Sequence, residues 1–179
     1  DERPTRVGEL VRIPLYRNMV IVAALVIGSH AMHDAFAVIR WSGAGIGAPT
    51  ASALWSLAVI AEVAVFFVIG PPLIDRLSPR GAITLAAAAG MLRWAVMAQS
   101  TSLGALALVQ PLHGFTFALL HLACMRIIAR AVPPGLEGTA QAFYATVGIG
   151  AATAALTFLS GILYERWDAA GFWAMAALC

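Results

Sequence analysis

The sequence predicts an all-α polytopic membrane bundle of six spans, the last truncated, and three observations carry that reading. Of the 179 residues, 61% are hydrophobic and only 11% charged, with a mean hydropathy of +0.85. A soluble domain of this size needs a far more polar surface. The apolar residues fall in long runs at about 19–39, 51–74, 81–100, 105–130, 139–163 and from 170 onward, and runs near twenty residues match a hydrocarbon core about 30 Å thick. The arginines then segregate. Arg3, Arg6, Arg12, Arg17, Arg76, Arg80, Arg126 and Arg130 fall on one side, against Arg40 and Arg166 on the other. Positive residues stay on the cytoplasmic side, so the N-terminus and the loops at 75–80 and 131–138 are expected in the cytoplasm of a bacterial inner membrane.

Taken in order, residues 1–18 read as a cytoplasmic lead and residues 19–179 as the transmembrane bundle. The lead is polar and basic and does not resemble a cleavable signal peptide. The links between runs are short, which forces antiparallel neighbours. Pro71-Pro72 and Pro133-Pro134 are expected to end the second and fourth spans, because proline cannot continue a helix normally. Trp41, Trp167 and Trp173 fit an interfacial aromatic belt on the outer side. The run from Gly148 to Ala155 is rich in small residues, which let helix backbones approach closely in lipid. Cys124 lies within a span and Cys179 at position 179, so no disulfide framework is expected. A polar lead, six spans and a short last run predict the C-terminal half of a twelve-span protein, with 1–18 as the linker between halves.

The spans carry charges that lipid does not tolerate unpaired. Glu62 and Arg93 each lie thirteen residues from the loop at 75–80, so each sits about 20 Å deep at about 1.5 Å rise per residue. An ionised side chain at mid-bilayer costs roughly 2.5–3.5 kcal/mol, and with Asp34 the unpaired total is on the order of 8–10 kcal/mol. The three must pair, change protonation or face water. Arg93 is the natural partner of Glu62 by depth, and the pair reads either as a register-fixing ion bridge or as a carboxylate tuned by arginine. Arg93 can also receive a carboxylate substrate through two hydrogen bonds.

In the first span His30, His33 and Asp34 share roughly one face, with His30 and Asp34 one turn apart as a proton-exchange pair. The fourth begins at Gln110, and its His113 lies near the depth of His33 and Asp34, while His121 reads as either a packing or a functional histidine. Arg126 lies one turn inside the cytoplasmic end. Gln141 and Tyr144 share a face near the cytoplasmic mouth of the fifth span. Proton coupling is thus expected at Glu62, Asp34 and Arg93. Substrate binding is expected at His113, Arg93, His33, His30 and Gln110, and a cytoplasmic gate at Asp75, Arg76, Arg126, Gln141 and Tyr144. No phosphate-binding loop, zinc spacing or Gly-x-Ser-x-Gly elbow is present. The chain is therefore not expected to be an enzyme, to hold a metal or cofactor, or to bind nucleic acid. Its expected partners are a small-molecule substrate, protons, the lipid bilayer and an N-terminal six-span half.

Trp55-Ser-Leu-Ala-Val-Ile-Ala-Glu62, Leu92-Arg93-Trp94, Leu112-His113-Gly-Phe-Thr-Phe and His121-Leu-Ala-Cys-Met-Arg126 resemble the phenylpropionate permease family of the major facilitator superfamily. The resemblance covers almost the whole chain and matches spans seven to twelve. It implies the C-terminal half of a major facilitator fold, two inverted three-span repeats, and alternating-access proton symport of a small aromatic carboxylate such as phenylpropionate. Asp75-Arg76 with Arg80 resembles the superfamily's loop motif between spans eight and nine, with Ser78-Pro79 in place of its glycine. A more distant likeness is to lactose permease, a proton symporter, whose glutamate, arginine and histidine match Glu62, Arg93 and His113. Where that relative has an essential carboxylate this chain has Thr116, which moves the proton-carrying role to Glu62 or Asp34. A nucleoside or sugar symporter is the alternative substrate reading. A non-transporting membrane scaffold or sensor is the alternative from another class.

Overall fold

Breaks at residues 44–47, 100–102 and 132–136 and two non-glycine residues with positive φ, Ser78 (64°) and Asp168 (47°), divide the helical chain. The computed structural model describes residues 6–179. Arg3 and the beginning of the expected lead lie outside the described residues. Among the described residues, four apolar helices are long enough to cross a membrane, Pro14–Gly43, Ala48–Gln99, Leu103–Ala131 and Glu137–Ala177. The second is 52 residues long, about 78 Å if straight and far more than a bilayer requires. It bends at Ser78, and the fourth bends at Asp168. The segments are therefore a first span at Pro14–Gly43, a second at 48–77, a third at 79–99, a fourth at Leu103–Ala131 and a fifth at 137–167. The sixth segment, at 168–177, is about 15 Å long.

The prolines at 71 and 72 do not stop the second span, contrary to expectation. The helix runs through them to Leu77. A wide π-helical turn at Val65–Ile69 precedes them, in which the Gly70 N–H reaches back five residues to the Val65 carbonyl. That wider turn moves the carbonyls that would meet the proline rings. The turn between the second and third spans is accordingly a single residue, Ser78, and not a loop at 75–80. The fourth span ends at Ala131, just ahead of Pro133-Pro134 as expected.

Three apolar clusters hold the bundle together, and the fourth span enters all of them. Near the Arg17 end, Tyr16, Met19 and Ala23 of the first span pack with Leu120, Cys124 and Ile127 of the fourth and Ala140 and Tyr144 of the fifth. The Tyr16 hydroxyl donates to the Ala140 carbonyl at 2.9 Å, which ties the first span to the fifth. Val65 and Ile74 of the second span and Ala82 of the third pack on Ala118, Leu119 and Ala123. At the opposite end, Met32 and Trp41 meet Leu54, Trp94, Leu106, Phe172 and Met175, so the short sixth segment covers the third span.

Trp41 corrects the aromatic-belt expectation. It is fully buried, whereas Trp167 and Trp173 are exposed. The small-residue run of the fifth span is only partly a packing face. Gly148 is buried against Val20, while Ala151, Ala154 and Ala155 face outward.

Candidate functional site

Midway along the bundle four spans open onto a cavity of about 400 Å³. The first contributes Ile27, His30 and Asp34, the second Trp55, Val59 and Glu62, the fourth His113 and Phe117, and the fifth Ile149 and Thr153. The volume lies within the range of small-molecule sites, as does the mixture of an aromatic and aliphatic wall with a few polar groups. The Thr153 hydroxyl is buried here without a protein partner. The third span contributes nothing to the lining. Its Arg93 lies behind, 1% exposed.

Glu62 and Arg93 do not touch, contrary to the expected ion pair. His113 stands between them: Arg93 Nη1 lies 3.2 Å from its Nδ1, and its Nε2 lies 3.1 Å from Glu62 Oε2. Arginine is a donor only, so Nδ1 must accept and the ring proton of neutral His113 sits on Nε2, donating to the carboxylate. The approach depends on Gly114. A Cβ there would lie 2.7 Å from the Ala61 carbonyl oxygen, so only glycine lets the fourth span come this close to the second.

A second arm leaves Arg93 in the other direction. Arg93 Nη2 donates to Gln110 Oε1 at 2.8 Å, and Gln110 Nε2 lies 3.4 Å from His33 Nε2. His33 Nδ1 is 3.2 Å from Asp34 Oδ1. The Arg93 guanidinium also rests on the Trp94 ring, 4.6 Å from its centroid, a cation–π contact worth on the order of 2 kcal/mol when desolvated. One buried cation is therefore bonded through neutral side chains towards two carboxylates, and both of these face the cavity.

His30 does not pair with Asp34 as expected. The imidazole on Asp34 is that of its neighbour His33. The first span tightens at Ser29-His30, where the His30 N–H bonds the Ile27 carbonyl at 3.0 Å in place of that of Val26, and side chains add bonds to both carbonyls. Ser29 Oγ donates to the Val26 carbonyl, and His30 Nδ1 lies 2.9 Å from the Ile27 carbonyl oxygen. A carbonyl only accepts, so His30 carries its proton on Nδ1 and its Nε2 accepts from Thr116 Oγ1 at 2.8 Å. The same hydroxyl lies 3.2 Å from the His113 carbonyl oxygen. Its single proton serves one acceptor at a time.

Of the expected substrate-binding residues, His30 and His113 line the cavity, whereas Gln110, His33 and Arg93 are buried behind it. At the Arg17 end, Arg126 Nη2 meets Asp75 Oδ1 at 3.1 Å, joining the fourth span to the second, while Arg76 is exposed beside them. Gln141 and Tyr144 part company: Gln141 is exposed, and buried Tyr144 has its hydroxyl 3.2 Å from His121 Nδ1.

Sequence reasoning passed over Ser29 and Trp94. The Trp94 indole N–H donates to Ser29 Oγ at 2.8 Å, which fixes the ring under Arg93. A tryptophan next to an intramembrane arginine was a readable sign of a cation–π shelf; nothing marked Ser29. Thr116 stood out only as a departure from a relative.

Comparisons with known proteins agree with this architecture. The profile of the MFS_1 like family matches residues 2–175. The chain is 39% identical over 150 residues to a protein of Escherichia coli (strain K12) described as "Probable 3-phenylpropionic acid transporter". The match takes in 83% of this chain and 39% of that protein, so the chain spans about two fifths of the length of this relative. No solved structure matches.

Proposed function

As the chain belongs to the MFS_1-like family, within the phenylpropionate permeases of the major facilitator superfamily, we propose that it is the C-terminal part of a proton-coupled transporter for a small aromatic carboxylate. In this reading an N-terminal six-span half closes the other side of the cavity, and the substrate reaches it by alternating access. The observation that carries the proposal is the placement of charge. Glu62 and Asp34 face the cavity while Arg93 lies behind His113 and Gln110.

An anionic substrate entering that cavity meets two carboxylates and no exposed cation. Like charges at a few ångströms repel by several kcal/mol in a medium of intermediate dielectric. Protonation of Glu62 or Asp34 removes the repulsion, and the protonated acid can donate a hydrogen bond to the substrate. Proton binding and substrate binding thus favour each other, and that coupling is reciprocal. Glu62 is the first proton carrier in this scheme, separated from Arg93 by the His113 side chain and not paired with it directly. Asp34, reached through two side chains, is the second. Trp55 and Phe117 offer ring faces to the aromatic portion of the substrate, with the polar end towards His113 and His30. A neutral sugar or nucleoside is a second reading, because paired carboxylates also accept hydrogen bonds from hydroxyls. The Asp75–Arg126 bridge serves as part of the cytoplasmic gate, with Arg76 alongside.

The test uses the full-length protein in liposomes with 3-phenylpropionate outside. An imposed inward proton gradient should drive accumulation above equilibrium. Glu62→Gln should keep downhill exchange yet lose accumulation. Uptake indifferent to the gradient would refute proton coupling, and transport of sugars or nucleosides without phenylpropionate would favour the second reading.

A further inference from the structure

Arg93 lies at the centre of a hydrogen-bond chain whose directions follow from chemistry alone. The guanidinium has no lone pair to offer, so the Gln110 oxygen must face it. The Gln110 amide nitrogen then faces His33, and an amide nitrogen only donates. His33 Nε2 must therefore accept, which leaves the ring proton on Nδ1, pointing at Asp34 Oδ1. The order runs Arg93 to Gln110 to His33 to Asp34, every bond donated outward.

His33 cannot escape this assignment by turning. Its ring is packed among Trp41, Trp55 and Trp94, with centroids 5.7, 4.6 and 5.8 Å away. The residue is 1% exposed and Gln110 wholly buried, so water does not substitute for either partner. Ionised Asp34 accepts from Nδ1 and favours the same tautomer, but once Asp34 is protonated the Gln110 amide alone directs the His33 ring.

We propose that Gln110 is a positioning residue: it holds His33 as the Nδ1–H tautomer, so that Asp34 faces the cavity with a donor already aimed at it. Gln110 and His33 act through Asp34 and do not touch substrate. A neutral amide suits this task because it passes on bond direction without neutralising Arg93. A carboxylate at the same place would pair with Arg93 and reverse the next bond, since it can only accept. The functional half of this inference rests on the proposed transport reading. Its structural half does not.

The two halves are separated by measuring the histidine and the transport independently, in the full-length protein. Nitrogen-15 NMR of histidine-labelled protein, with the His33 signals assigned by their loss in His33→Gln, reports which ring nitrogen carries the proton. The native protein should show His33 protonated at Nδ1 and bare at Nε2. Gln110→Glu should place a proton on Nε2. A native His33 protonated at Nε2 overturns the proposal with no variant needed, as does a Gln110→Glu protein that leaves Nε2 bare. Should that variant fail to fold, Gln110→Met in an Asp34→Asn background removes both directing groups, and His33 should then lose the single-tautomer signature that Asp34→Asn alone retains; a signature retained in the double variant overturns the proposal. Binding of 3-phenylpropionate should weaken on the order of tenfold in Gln110→Glu, as for loss of one hydrogen bond to a charged group. A reversed tautomer with native affinity overturns the role in binding. Native Gln110 behaviour in a protein that ignores the proton gradient refutes the coupling scheme instead.

Discussion

Gly114→Ala is the substitution that tests how packing creates the site. The added methyl carbon would lie 2.7 Å from the Ala61 carbonyl oxygen and 2.8 Å from Val65 Cγ2, about 0.7 Å inside the 3.4 Å at which ordinary contact begins. Both obstacles belong to the second span, one of them to its backbone, so the helices must separate locally. Overpacking of this kind costs about 1–3 kcal/mol. The adjacent His113 Nε2 is 3.1 Å from Glu62 Oε2. A displacement of a few tenths of an ångström to 0.7 Å stretches that bond towards 3.8 Å, beyond hydrogen-bonding range. Loss of a bond to a charged group removes a further 1.5–3 kcal/mol or so. The expected outcome is a thermal midpoint several degrees lower at a fixed scan rate, together with loss of gradient-driven uptake. Gly161→Ala is the control, because a methyl group there meets nothing within 4 Å and alanine improves helix propensity by about 1 kcal/mol. Native stability and uptake in Gly114→Ala would refute the claim that this contact holds His113 against Glu62.

Two further outcomes follow from the hydrogen bonds and ion pairs. Thr116→Val keeps the shape but leaves buried His30 Nε2 without its donor, which should cost about 1–3 kcal/mol and lower the thermal midpoint, whereas Thr116→Ser should restore it. The Asp75–Arg126 bridge has side chains 61% and 42% exposed, so Asp75→Asn should leave the midpoint nearly unchanged, as expected for a surface pair worth at most about 1 kcal/mol. If the bridge gates transport, the uptake rate should change several-fold and the swapped pair Asp75→Arg with Arg126→Asp should recover it; a swap that recovers nothing contradicts the gate.

Much of the fold was legible because hydropathy and chain length act on every residue of a span. The run boundaries at 51–74 and 105–130 fall within the observed second and fourth spans for that reason. Pro71-Pro72 misled because a π-helical turn is a bonding choice of the backbone, and Val65–Ile69 has no residue that announces one. Trp41 misled because proximity to a span end does not say which way a ring points. In the site, equal depth correctly brought Glu62 and Arg93 to one level, but depth carries no lateral information. That His113 fills the gap between them depends on Gly114 and on the packing of three helices. The pairing of Asp34 with His33 was hidden for a similar reason. Helical spacing favoured His30, yet both nitrogens of His30 are engaged elsewhere once the first span tightens at Ser29.

The indirect route from Arg93 to its carboxylates has a consequence for how such a site can switch. A direct ion pair deep in the bundle would stabilise both charges so strongly that breaking it would cost about 3–5 kcal/mol, and a carboxylate so held would not readily take a proton. Placing neutral His113 between the charges weakens their attraction while keeping it directional. His113 Nε2–H can donate to ionised Glu62, and when Glu62 is protonated the same contact survives to its other, carbonyl-like oxygen without moving a helix. Arg93 meanwhile keeps its bonds to His113 and Gln110 and its contact with Trp94, so no step leaves the buried cation bare. With one arginine and two cavity-facing carboxylates, the cluster is negative by one when both acids are ionised and neutral when one proton is bound. A carboxylate substrate entering with a proton leaves the total charge of the occupied site equal to that of the empty one. In the proposed scheme, that constancy lets the cavity bind, reorient and release an anion without stranding charge in the hydrocarbon.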